Sequence, residues 1–107
     1  MTPKQFAKFL ARDGACYHCG DATTAVPHHR ANRGMGGSKA RDEASNIIVM
    51  CSNINGLMES DPIVQQMAKD FGWKLESWQQ PAEVPVYSVY SGKWFTLNGY
   101  ERKSYDV

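Results

Sequence analysis

The run NIIVMC at residues 46–51 constrains the fold more than any other stretch. It is continuous, apolar and β-branched, too short for a helix and too greasy for a surface, so it reads as a strand buried on both faces. SNINGLMES follows at once, and its Leu57 and Met58 suggest a short helix. Upstream, AVPHH at 25–29 reads as a second short strand. Between the strands lies a polar, glycine-rich loop from Arg30 to Ser45, longer than most connections in a small domain, and loops of that length usually have a function or no fixed structure. The 107 residues, 42% apolar, suffice for one modest core, so the rest of the chain must pack around the buried run.

Elsewhere the signals are local. TPKQFAKFLARDG has Thr2 as N-cap, Gln5 three residues on, Pro3 at the first helical position and Gly14 as terminator, with Phe6, Phe9 and Leu10 at helical spacing. ACYHCGDATT at 15–24 reads as a tight turn around two cysteines. Asp61 and Pro62 cap a further helix, in which Ile63, Val64, Met67, Ala68 and Phe71 form an apolar stripe ended by Gly72. A polar stretch carries Trp73 and Trp78. After it, VPVYSVYSGKWFTLNGYERKSY reads as β-strands with turns at Ser91-Gly92 and Asn98-Gly99, its Tyr87, Tyr90, Trp94 and Phe95 taken as core. The expected class is α+β.

Charge is nearly balanced, 12 Lys and Arg against 11 Asp and Glu, so a nucleic-acid partner has to be argued from local distribution. Lys4, Lys8 and Arg12 interrupt the N-terminal apolar stretches and no long apolar run exists, so neither a membrane span nor a secretory signal is expected, and the chain reads as cytosolic. Three cysteines cannot all pair within one chain; in a reducing compartment they are thiols open to metal.

Chemistry concentrates where strand, loop, strand and helix converge. His28 and His29 close the first strand, Asn46 opens the second, and Asn55 and Glu59, four apart, share a helix face. His28, Asn55 and Glu59 would offer one nitrogen and two oxygens to a divalent cation such as Mg²⁺, Mn²⁺ or Zn²⁺. Taken alone, Asn46 is equally a turn residue, Asn55 a helix cap and Glu59 a solvated charge.

VPHHRANRGMGGS, then SNIIVMCS, then NGLMES resembles the HNH endonuclease motif. With AKDFGWKLESW, EVPVY and GKWFTL, the likeness extends over most of residues 15–97 to small HNH proteins encoded by bacteriophages of actinobacteria. The resemblance implies a single HNH-like domain over 1–107. Its ββα-metal finger would span about 25–60, preceded by the N-terminal helix and followed by another helix and a C-terminal β-hairpin at about 85–105. It implies metal-dependent cleavage or nicking of DNA, with double-stranded DNA as partner, Mg, Mn, Ni or Zn as the divalent ion, and the bacterial host cytoplasm as location. A phage packaging protein or a host protein is a further possible partner, and no membrane is involved. His29 would be the general base and Asn46 the residue orienting it; His28 and Asn55 would ligate the ion, with Glu59 an additional or water-mediated ligand. An ordinary imidazole, with a pKa of about 6.5, is mostly neutral near pH 7 and can take a proton from water without special tuning. Arg30, Arg33, Lys39 and Arg41, with no acid before Asp42, would contact phosphates beside the site.

Two positions depart from the family pattern. Many relatives clamp a structural zinc with two CxxC pairs; here Cys16 and Cys19 form one, but Cys51 is followed by Ile54 where the fourth ligand would stand. Structural zinc is normally closed and four-coordinate, so Cys16, Cys19 and Cys51 would need an outside ligand. The expectation is that Ile54 packs against the thiols and core burial takes the place of zinc. Asn55 also replaces the commoner helix histidine with a weaker, neutral ligand. The alternative to a nuclease is therefore a catalytically impaired ββα module that binds DNA or a protein without cutting.

Overall fold

The computed structural model describes residues 1–31 and 43–105, with Tyr105 described by its backbone alone. The architecture is α+β, with three helices and two small antiparallel sheets among the described residues. Helix α1 (Pro3–Asp13) starts as its sequence requires. The Thr2 hydroxyl accepts from the Gln5 amide at 3.1 Å and the Gln5 side chain accepts from the Thr2 amide at 3.0 Å. Gly14, at φ 78°, turns the chain out of the helix and returns its N–H to Leu10.

Strands β1 (Ala25–His29) and β2 (Ile47–Cys51) pair antiparallel, with Ala25 opposite Cys51, His28 opposite Ile48 and His29 opposite Ile47. Every residue of β2 is buried, as its unbroken apolar run demands. Phe9 of α1 covers Ile47 and Val49, while Ile48 and Met50 enter the main core with Tyr17, Met58, Trp73 and Leu97. Helix α2 (Ser52–Ser60) follows β2 without a linker. Asp61 closes α2 through its N–H to the Leu57 carbonyl. Its carboxylate then accepts from the amides of Ile63 and Val64 to open α3 (Pro62–Asp70).

Beyond α3, strands β3 (Val86–Ser88), β4 (Lys93–Asn98) and β5 (Glu101–Tyr105) form an antiparallel meander, one strand more than the expected hairpin. Its turns fall at the expected glycines, Gly92 at φ 68° and Gly99 at φ 60°. The expected core positions need correction. Ile63 is 81% exposed and Tyr90 is exposed, Tyr87 and Trp94 are half-buried, and only Phe95 of those four aromatics is fully inside. Trp73, set in a polar stretch, is fully buried instead, and its indole N–H donates to the Tyr87 carbonyl at 2.8 Å.

A buried ion pair ties these layers together. The Asp13 carboxylate, 2.7 Å from Arg12, also accepts from the Tyr17 hydroxyl at 2.7 Å and the Val49 amide at 3.1 Å. Arg12 donates onward to the carbonyls of Ala44, Ile47 and Gly99. Every lone pair and proton so used offsets the desolvation of the two charges. One end of α1 is thereby fastened to β2 and to the β4–β5 turn.

Candidate functional site

The β1–β2 pair and α2 place His28, His29, Asn55 and Glu59 around one open cleft of about 250 Å³, lined also by Pro27, Arg30, Met58 and Lys74. Two local facts produce this. The antiparallel register sets Ala25 beside Cys51, where α2 begins, so the histidines at the other end of β1 meet α2 because the helix packs back along that strand, and a four-residue step along α2 puts Asn55 and Glu59 on one face.

His28 is held on two sides. Its Nε2 lies 2.7 Å from the Trp73 carbonyl, which can only accept, so that nitrogen carries the proton and Nδ1 keeps a lone pair. Burial pulls the imidazole below its ordinary value, against the opposing bonds to the Trp73 carbonyl and the Asn55 side chain. The ring is therefore neutral at pH 7. An imidazole with one N–H fixed by a backbone carbonyl is the usual form of a metal-ligating histidine.

Asn55 is half-buried and Glu59 exposed. An ion in the cleft would thus meet one imidazole nitrogen, one amide and a carboxylate at the solvent side. So sparse a protein shell suits a hard cation that keeps several waters. Asn46 is fully buried, and its carboxamide accepts from the Ala31 amide at 2.8 Å and donates to the Ala31 carbonyl at 3.1 Å. With the Arg30 amide donating to the Asn46 carbonyl at 2.7 Å, it clamps the backbone immediately after His29. Asn46 therefore holds the backbone at the end of β1.

Arg30 does not belong with the phosphate contacts. It is 1% exposed, and its guanidinium donates to the carbonyls of Gly72, Ser45, Pro81 and Val84 at 2.7–3.0 Å. Burial lowers its pKa to about 10, still protonated at neutral pH. The charge staples the 72–84 segment under β1, with four of its five N–H donors given to backbone carbonyls and the group closed off from solvent. Arg33, Lys39 and Arg41 lie outside the described residues.

The three cysteines form a second cluster, with Sγ atoms all within 4.8 Å of one another. Among the described residues they are the His, Cys, Asp or Glu set of three close enough to hold one ion. Cys16 and Cys51 are buried and Cys19 is exposed. Backbone amides of His18 and Ile54 donate to the sulfurs of Cys16 and Cys51 at 3.3 and 3.4 Å. Gly20, at φ 77°, completes the turn where any Cβ would lie 2.4 Å from the Tyr90 ring. Ile54 shares the core with Cys16 and Cys51, so the donor set is three thiols beside a hydrocarbon. Thiolates around a tetrahedral zinc stand about 3.8 Å apart, so a modest contraction would fit them to an ion whose fourth ligand comes from outside. Burial, with neighbouring Cys16, pushes the Cys51 thiol up to about 11.

Two contributors to the cleft were not singled out from sequence, the Trp73 carbonyl and Lys74. Trp73 and Lys74 directly follow Gly72, the glycine just past α3, which is their sole local signal. No helix among the described residues is long and apolar enough to cross a membrane. No protein-family model, curated protein or solved structure matches the chain.

Proposed function

We propose that this chain is a metal-dependent DNA endonuclease or nickase of the HNH type, in which β1, β2 and α2 serve as the ββα-metal finger. The observation that carries this reading is the convergence of His28, His29, Asn55 and Glu59 on one cleft, with the His28 tautomer set by the Trp73 carbonyl. His28 Nδ1 and the Asn55 carboxamide oxygen would hold the ion, with Glu59 an additional or water-mediated ligand. A divalent ion, Mg²⁺, Mn²⁺, Ni²⁺ or Zn²⁺, would supply charge relief on the phosphate and stabilise the leaving oxygen. The His29 imidazole removes a proton from the attacking water and holds it until solvent takes it. Asn46 keeps that imidazole in place by fixing the backbone at Ala31. The Cys16, Cys19 and Cys51 cluster lies apart from this chemistry, and zinc there would be structural.

Incubation of supercoiled plasmid with pure protein and each ion in turn, beside His29→Ala, tests the proposal. Nicking that requires both an ion and His29 supports it. If no ion yields nicking above the variant, the nuclease reading falls, and ion or DNA binding without cutting would identify a non-catalytic module.

A further inference from the structure

We propose that Lys74 holds a phosphate of the nucleic-acid substrate at the His28–His29 cleft, an inference that rests on the nuclease reading for its substrate class. Two cations line the cleft, Arg30 and Lys74. Arg30 is buried and gives four of its five N–H donors to backbone carbonyls. Lys74 makes no ion pair with any described carboxylate, so of the two cations lining the cleft its charge is the one left for a ligand.

The backbone at Lys74 is fixed on both sides. The Trp73 carbonyl accepts a hydrogen bond from His28 Nε2, the Lys74 amide donates to the Ala68 carbonyl at 3.1 Å, and the Leu75 amide donates to the Arg30 carbonyl at 2.7 Å. Ala31 and Leu75 also form a parallel bridge. Residues on both sides of Lys74 are therefore anchored to the end of β1 that carries the histidines. A flexible four-carbon stem on a rigid base delivers a point charge to a phosphate without fixing bidentate geometry. Lys74 lines a second groove of about 250 Å³ as well, shared with Lys69, Leu75, Glu76 and Ser77. A backbone leaving the first cleft past Lys74 would find Lys69 next. Glu59 and Glu76, the acids of the two grooves, oppose a polyanion, and the Lys74 charge common to both grooves counters them.

The test is binding of a short fluorescent duplex in Mn²⁺, read by anisotropy across a salt series, in the His29→Ala background so that the DNA stays whole. Lys74→Gln keeps the stem and loses the charge. It should bind about tenfold more weakly, with a log–log salt slope shallower by about 0.9, while the unfolding temperature holds. Lys74→Arg should restore the slope, and Lys4→Ala on α1 should leave it alone. Unchanged affinity and slope in Lys74→Gln overturn the proposal; so does a loss that Lys74→Arg fails to recover. Plasmid nicking by the unmodified chain, run in parallel, separates the two ideas. Nicking with an unchanged Lys74→Gln slope removes Lys74 alone, whereas a lost slope without nicking in any ion removes the nuclease and keeps the phosphate contact. Neither binding nor nicking removes both.

Discussion

Replacing Arg30 by methionine separates a structural charge from a DNA-facing one. The guanidinium donates at 2.8 Å to Gly72, at 3.0 and 2.8 Å to Ser45 and Pro81, and at 2.7 Å to Val84. In Arg30→Met the Pro81 carbonyl keeps the Val84 amide at 3.4 Å, while the other three lose their charge-assisted donor. A buried polar group left unsatisfied costs about 1–3 kcal/mol, so three cost roughly 3–9 kcal/mol. Relief of the guanidinium's own desolvation, and water returning to the part-buried Val84 carbonyl, offset some of this. A net loss of about 3 kcal/mol is a large share of the roughly 5–15 kcal/mol that holds a domain together. At about 4 °C per kcal/mol, the melting temperature should fall by about 12 °C. Thermal unfolding followed by the fluorescence of buried Trp73 reads this directly. A drop under about 4 °C, together with a marked loss of DNA affinity, would refute the burial argument and return Arg30 to the DNA surface.

Other outcomes follow from the same contacts. Tyr17→Phe removes one bond to Asp13 and should cost about 1 kcal/mol in urea unfolding. Asp13→Ala strands Arg12 and should cost about 3–5 kcal/mol, and equal effects of the two would count against the buried pair as a hub. Under iodoacetamide near pH 8, exposed Cys19 should alkylate well before Cys16 and Cys51, and added Zn²⁺ should protect all three if they share an ion; mass spectrometry gives the order. The side-chain bonds from Thr24 and Thr23 hold the Asp21 carboxyl down to about 2, from an ordinary 3.8. A depressed carboxylate favours the folded turn above its unfolded value and loses that advantage as pH falls toward 2, so carboxyl NMR shifts should titrate there, and a midpoint near 3.8 would contradict those bonds.

What could be read from the chain was local. Thr2, Pro3, Gln5 and Gly14 define α1, and Asp61 with Pro62 opens α3, because caps bond to neighbours a few residues away. β2 was legible because a short unbroken β-branched run has few other uses. The failures share a cause in distance along the chain. Arg30 has partners 15 to 54 residues away, so nothing beside it announces burial, and a basic neighbourhood made it resemble a phosphate contact. The Arg12–Asp13 pair looks like ordinary helix-end charge until β2 and the β4–β5 turn close over it. Ile63 fits the apolar stripe of α3 yet sits at the helix start beyond the core, where periodicity cannot see the edge of the contact. The candidate site was visible as residue types and spacing. Its tautomer was not, because that depends on a carbonyl 45 residues downstream of His28.

The most direct measurement is the single-turnover nicking rate at saturating Mn²⁺, taken with ion affinity by calorimetry, for the unmodified chain, His28→Ala and His29→Ala. A division of labour between ligand and base predicts that His29→Ala binds the ion normally but cuts about 10²–10⁴-fold more slowly, whereas His28→Ala loses ion binding and rate together. A His29→Ala protein that cuts at the unmodified rate would contradict the assignment of this cleft as a hydrolytic centre.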